Sequence, residues 1–209
     1  MKIGILAVQG DFEAHAASVA RMGVDCVFVR TPRDLEGVDA VILPGGESTT
    51  QWKFLVEEGL DKSLKEHAAN GGAIFGTCAG AILLAKEVHN PAQQSLGLAD
   101  IAVVRNAYGR QLASEVRHGD TTISSAPIEM VFIRAPIIER VGPDVSVLAK
   151  SEGHPVLVRQ GRFLIATFHP ELTSDTTVHE YFLRMVGADR AISNNGHDVV
   201  PVSDQNSFS

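Results

Sequence analysis

The chain predicts an α/β fold with a mostly parallel central sheet and helices on both faces. Three observations carry that reading. Short apolar runs alternate with stretches of helical period through the first half of the chain. Two of those runs pass straight through glycine-bearing turns into helices, at Pro44-Gly45-Gly46 and at Gly76-Thr77-Cys78-Ala79-Gly80. The 209 residues suit one domain, large enough to bury roughly 70% of its unfolded-state surface.

The elements follow in order. Residues 2–8 form the first strand, and a helix at about 11–22 carries Ala14, Ala17, Ser18 and Met22 at helical spacing. Strands at 24–29 and 38–43 come next, then helices near 48–57 and 60–69 and a strand at 73–76. The second half holds short strands at about 101–104, 128–133, 146–150, 155–159 and 163–168. Gly161 offers the hairpin turn between the last two. A helix at about 176–186 closes a domain spanning residues 1–189. Residues 190–209 read as a polar, mobile tail, rich in Asn, Ser, Asp and Gly from Ile192 onward.

Composition excludes some functions. The net charge is −7 and no Lys/Arg cluster stands out, so a phosphate-backbone partner has little support. No apolar run approaches the ~20 residues of a membrane helix. The run Ile3 to Val8 is too short for a signal-peptide core. There are two cysteines, Cys26 and Cys78. A disulfide between them would disable a nucleophile at Cys78, so a reducing cytoplasm is the expected compartment. Cys26, inside a strand, reads as a small buried hydrophobe. No Cys/His spacing resembles a metal site.

The sharpest chemical signal is Gly76-Thr77-Cys78-Ala79-Gly80. It lies between the apolar runs Ala73-Ile74-Phe75 and Ala81-Ile82-Leu83-Leu84-Ala85, the order of strand, sharp turn and helix. Such an elbow pushes its apex residue into the open above a helix N-terminus, where a thiolate can attack carbonyl carbon. A buried core cysteine beside a packing glycine is an equally good reading of the pentapeptide alone. Downstream, the strand Phe163 to Phe168 ends in His169-Pro170-Glu171. Residues two apart in an extended segment face one side, so His169 and Glu171 can serve as a base and its orienting carboxylate. Pro170 cannot donate to a sheet ladder, so it ends the strand and exposes the pair. A third segment, Pro44-Gly45-Gly46-Glu47-Ser48-Thr49, has paired glycines whose N–H groups can turn outward as an oxyanion hole requires. Ser48 or Thr49 would cap the helix that follows.

In that order and separation, PGGES, GTCAG and FHPE resemble the class I glutamine amidotransferases, with a Cys-His-Glu triad. The stretch Ile3 to Phe12 with His15 narrows the resemblance, as do Leu43 to Thr50, Arg105 to Gln111, Phe132 to Pro136 and Phe168 to Leu172. Together they are similar to the glutaminase subunits of pyridoxal 5'-phosphate synthase, from about residue 2 to about residue 187. The chain departs from that pattern at Tyr108 and at Leu112-Ala113-Ser114-Glu115.

The resemblance implies a flavodoxin-like fold of the class I amidotransferase kind. It implies a triad of Cys78, His169 and Glu171, with Gly46 and Ala79 supplying oxyanion N–H groups. Glutamine would lie against Gly46, Glu47, Ser48, Arg105, Ile133 and Arg134, while Gln9 and Gly10 would lie near the partner interface. It implies no cofactor, and ammonia passing to a separate synthase subunit that builds pyridoxal 5'-phosphate. The absence of a GxxxxGK[ST] phosphate loop fits a chain that makes ammonia only. The alternatives are the glutaminase of another biosynthetic amidotransferase, a γ-glutamyl hydrolase or cysteine peptidase on the same elbow, and a non-catalytic assembly module.

Overall fold

The computed structural model describes residues 1–105 and 114–195, with 188–195 as backbone only. In chain order the elements are β1 (Lys2–Leu6), α1 (Phe12–Arg21), β2 (Asp25–Val29), β3 (Ala40–Leu43), α2 (Ser48–Glu57), α3 (Leu60–Ala69), β4 (Ala73–Thr77), α4 (Ala79–Leu84), β5 (Ala85–His89), β6 (Ala99–Val104), β7 (Glu115–Gly119), β8 (Ile128–Phe132), β9 (Ile137–Val141), β10 (Ser146–Ser151), β11 (His154–Gln160), β12 (Phe163–Ala166) and α5 (Thr177–Asn195). Short 3-10 turns lie at Pro32–Leu35 and Pro170–Leu172.

A seven-stranded sheet has the order β10-β11-β12-β4-β3-β1-β2. Its members β12, β4, β3, β1 and β2 run parallel, and β10 and β11 add an antiparallel edge. Strands β1, β3, β4 and β12 are buried on both faces, as crossover helices require, while β2 at the edge is buried only at Val29. Side chains alternate between two cores. Ile5, Ile42, Phe75 and Leu164 join Val19 of α1 and Phe182 of α5 on one face. Leu6, Leu43, Ile74 and Ile165 join Leu55 of α2, Leu64 of α3 and Leu83 of α4 on the other. That second face also carries a small sheet, β5-β6-β9, through Val88, Ile101 and Ile138.

Register sets where the site forms. Ile5 pairs with Ile42, Leu43 with Gly76, and Thr77 with Ala166. The carboxyl ends of β1, β3, β4 and β12 are therefore level, and the loops that leave them share one edge, where α/β sheets place their sites.

Most expected elements are present, with shifted ends. Three strands were not foreseen: β5, β7 and β9. The apolar run Ala81–Ala85 suggests helix throughout, but the helix ends at Leu84 and the chain is extended from Ala85. Strands β7 and β9 mix charged with apolar residues and lie outside the main sheet, in the β7-β8 ribbon and the small sheet. The last helix runs to Asn195 rather than 186, so the first residues of the expected tail belong to it. Residues 196–209, and the Tyr108 and Leu112-Ala113 positions, lie outside the described residues.

Helix α4 lies tight against the sheet because Gly80 has no side chain. A Cβ there would collide with the backbone carbonyl oxygen of Leu43 in β3. Backbone cannot rotate away, so Gly80→Ala should lower the unfolding free energy by about 1–3 kcal/mol, the usual scale of overpacking. By contrast, Gly187→Ala in α5 meets open space and should stabilise by about 0.5–1 kcal/mol through helix propensity. Urea denaturation of the two variants checks the opposite signs.

Candidate active site

Cys78 joins β4 to α4 in a conformation that L-residues rarely adopt, with φ 47° and ψ −100°. Such strain costs of order 1–3 kcal/mol and persists only where the surroundings over-determine it. Here its N–H donates to Ala166 O at 2.9 Å, and its carbonyl accepts from Ala81 N at 3.1 Å. The sharp turn is as expected, but the apex does not face bulk water. Cys78 is only 7% exposed and lines the floor of a cavity of about 330 Å³. Its Sγ lies 3.8 Å from the carbonyl oxygen of Ile133.

His169 lines the same cavity, with its backbone N–H donating to Val131 O at 2.8 Å. Its Nδ1 is 2.8 Å from Glu171 Oε1. The expected route to that pairing was two residues facing one side of a strand. In fact β12 ends at Ala166, and Pro170 opens a 3-10 turn that carries Glu171 behind the imidazole. Nor is the pair exposed: His169 is 3% and Glu171 5% accessible. Burial opposes a charged imidazole, but hydrogen bonding and electrostatic attraction from Cys78 and Glu171 more than offset it, so the His169 pKa is pushed up to about 10. The Glu171 carboxyl is also raised, by burial, against the opposing pull of His169.

The loop after β3 is held from three sides. Gly45 abuts His169 so closely that a Cβ would overlap the ring, and a Cβ on Gly46 (φ 150°) would overlap Gln9 Oε1. A Cβ on Gly10 would collide with the carbonyl oxygen of Gly45. That same carbonyl accepts from Asp11 N at 3.2 Å and Gln51 Nε2 at 3.4 Å. In a trans peptide, N–H opposes C=O, so the Gly46 N–H faces away from both donors. Gln9 Oε1 accepts from Glu47 N at 2.8 Å. The N-cap of α2 is Glu47 rather than Ser48 or Thr49. Its carboxylate accepts from Thr49 N at 3.1 Å and Thr50 N at 2.6 Å. Burial resists that charge, but the hydrogen bonds from Thr50 and Thr49 prevail and bring the Glu47 pKa down to about 2. Arg105 Nη2 reaches Thr49 Oγ1 at 3.1 Å and Glu47 Oε1 at 3.4 Å. Its side chain is 13% exposed, which rules out a mere solubilising arginine.

The cavity thus gathers Gln9, Gly46, Glu47, Ser48, Cys78, Arg105, Ile133, Arg134 and His169. Of the other nominated residues, Glu171 lies behind His169, Ala79 opens α4 with a first-turn N–H that has no intrahelical partner, and Gly10 underlies Gly45. Sequence reasoning missed three further lining residues, Asp11, Ile82 and Pro136. Asp11 Oδ2 lies 3.5 Å from His169 Nδ1, and only its adjacency to Gln9-Gly10 could have flagged it. Ligand atoms of Asp11, His169 and Glu171 lie within 4.8 Å of one another. A cation there would take the Nδ1 that Glu171 engages, so the geometry serves the imidazole better than a metal.

A raised imidazole pKa carries a sign for stability. His169 ordinarily titrates near 6.5 and here near 10, so its contribution is complete below about 6.5 and is lost as pH rises through 10. The unfolding free energy should fall between pH 7 and 10, and His169→Asn should flatten that fall. Urea denaturation at stepped pH measures it.

A match to the SNO glutamine amidotransferase family spans residues 5–188. The pyridoxal 5'-phosphate synthase subunit PdxT of Koribacter versatilis is 55% identical over 186 residues, covering 89% of this chain and 96% of that protein. PdxT of Thermotoga neapolitana is 49% identical over 187 residues, covering 89% of this chain and 100% of its own length. A crystal structure of a glutamine amidotransferase superposes with a TM-score of 0.84 at 45% identity, covering 88% of this chain and 98% of that one. By that match over most of its length and by these close relatives, the chain, with its cysteine elbow, buried histidine–carboxylate pair and glycine-lined loop on one cavity, belongs to the SNO glutamine amidotransferase family.

Proposed function

We propose that this chain hydrolyses L-glutamine to L-glutamate and ammonia through a γ-glutamyl thioester on Cys78, and that it delivers the ammonia to a separate subunit of pyridoxal 5'-phosphate synthase. The observation that carries the chemistry is the buried His169 Nδ1–Glu171 Oε1 contact of 2.8 Å beside a cysteine on the same cavity. The partner rests on family membership and on relatives named as PdxT subunits of that synthase.

Each residue has a role. The Cys78 sulfur adds to the side-chain amide carbon of glutamine, and the carbon–oxygen double bond becomes an oxyanion. The N–H groups of Gly46 and Ala79 stabilise that charge. The His169 imidazolium gives its proton to the departing nitrogen as the C–N bond breaks, and ammonia leaves. His169 then takes a proton from water, whose oxygen attacks the thioester, and glutamate departs as the C–S bond breaks. Glu171 holds the ring through Nδ1 and stabilises its charge. At the mouth, the Glu47 carboxylate and the Arg105 guanidinium lie 3.4 Å apart, one of each sign for the ammonium and carboxylate of a free amino acid. Ser48, Ile133 and Arg134 complete the wall.

Partner gating follows from the glycine loop. The Gly45–Gly46 peptide is held through its carbonyl by Asp11 and Gln51, and Gln9 ties the next N–H. Contact of the synthase near Gln9 and Gly10 would reset that peptide and aim the Gly46 N–H at the oxyanion. A reducing cytoplasm suits the chain, since Cys26 and Cys78 are both free thiols. Among the described residues no helix is long and apolar enough to cross a membrane.

Cys78→Ala should abolish ammonia release, by at least about 10³-fold, while circular dichroism stays unchanged. His169→Asn should fail comparably, and Glu171→Gln should retain more activity than either. Ammonia release from folded Cys78→Ala would sink the assignment. Turnover should rise by about 10²–10³ on adding the synthase subunit, the scale of one oxyanion donor. Gln9→Ala should blunt that rise, and equal turnover with and without the synthase would refute gating. Arg105→Ala should raise KM for glutamine by about 10- to 100-fold, the scale of a hydrogen bond to a charged group, more than it lowers kcat.

A further inference from the structure

A second layer of polar groups lies beneath the triad, in the core and away from the cavity. His15 of α1 and His179 of α5 are 0% and 1% exposed. Their rings meet, with His15 Nδ1 2.9 Å from His179 Nε2. On its other side His15 Nε2 lies 3.0 Å from Thr77 Oγ1, next to the nucleophile in sequence, and 3.4 Å from Glu171 Oε2. Phe75 closes the pair off from water, edge-on to both rings at 6.1 and 5.7 Å. Among the described residues, Glu171 Oε2 accepts no well-aligned hydrogen bond, and His179 Nδ1 has no partner. The sequence offered no sign of this layer beyond His15 itself.

The partners of the two rings favour one pair of tautomers. If His15 carried its proton on Nδ1, its bare Nε2 would face the Glu171 carboxylate, and His179 Nδ1 would be a buried N–H with no acceptor. If His179 Nε2–H donates to His15 Nδ1, then His15 Nε2–H points between Thr77 Oγ1 and Glu171 Oε2, and only a bare ring nitrogen is left unpaired. A buried lone donor beside a carboxylate facing a lone pair is the costlier state. The second arrangement therefore holds. Burial, His179 and His169 all keep His15 well below its ordinary pKa, and burial with the Arg21 charge brings His179 to about 4. Both rings are neutral wherever the enzyme would work.

We infer that His15, locked in its Nε2–H tautomer by His179, is a positioning residue of the active site that acts through Glu171. This rests on the glutaminase reading above. The Nε2–H dipole steadies the inner oxygen of a carboxylate that burial would otherwise neutralise, which leaves Oε1 charged and aimed at His169 Nδ1. The neutral tautomer matters as much as the place: a second imidazolium there would repel the one that forms on His169. The charged or titratable groups around this layer are Asp11 at the α1 cap, Arg21 of α1, Glu171 and His169 after β12, and Asp175 and His179 before and within α5.

The test compares His15→Phe with His15→Gln in the whole chain. Phenylalanine removes both nitrogens, whereas the glutamine amide can return an N–H near the Nε2 position. Ring nitrogen NMR follows the protonation of His169, near pH 10 in the parent. Glutamine turnover is measured with the synthase subunit added. For His15→Phe we expect the His169 midpoint to move to lower pH, with kcat down by about 10- to 100-fold and KM unchanged. His15→Gln should recover most of both. If His15→Phe does not fold, His179→Phe frees the tautomer and should move both readouts the same way by less. An unmoved His169 midpoint with unmoved kcat, whatever the change in melting temperature, overturns the inference and leaves a purely structural knot. A parent that releases no ammonia from glutamine refutes the glutaminase reading instead, and the NMR arm still reports on His15.

Discussion

A protonated imidazole in a nearly dry site is the constraint on which this structure depends. His169 is 3% exposed, so water cannot solvate its charge. Negative partners must do so, and they must sit at fixed distances. Glu171 supplies one at 2.8 Å, and Cys78 adds a hydrogen bond from the cavity side. The pair arises from different strand ends, so a precise sheet register is a chemical requirement as well as a packing one. The level ends of β3, β4 and β12 deliver it.

The same constraint explains the glycines. Gly45 lets the loop after β3 come against the His169 ring, and Gly10 lets the loop after β1 come against Gly45. Gly80 lets α4 come against β3, which fixes the elbow from behind. Each glycine removes one Cβ from a contact between two backbones or between backbone and imidazole. The result is a cavity lined by Cys78 and His169 with a charged mouth, where Glu47 and Arg105 face one another across 3.4 Å.

Much of this was legible in the sequence because it is written in local signals. The elbow pentapeptide, the His-Pro-Glu triplet and the paired glycines each mark a strand end. Alternating strand and helix signals predicted a mostly parallel sheet with helices on both faces. What could not be read was long-range. Strands β7 and β9 carry charged residues among apolar ones and no residue of β7 is fully buried, so their pattern resembles a loop. The role of Glu47 as N-cap was hidden because Ser48 and Thr49 are the commoner capping residues. His179 sits in the first turns of a helix, 164 residues from His15, and nothing in the intervening chain announces that they touch. The burial of Cys78 and the His169–Glu171 pair is likewise hidden, since a turn is expected to be wet and these turns pack under neighbouring loops.

The central claim is a covalent one: that glutamine passes through a thioester on Cys78. Mass spectrometry of the chain, acid-quenched during turnover with glutamine and the synthase subunit, tests it directly. The account predicts one γ-glutamyl group on the peptide that carries Cys78, absent when glutamine is left out. Glutamine consumed with no adduct at Cys78, or with the adduct on Cys26, would contradict it.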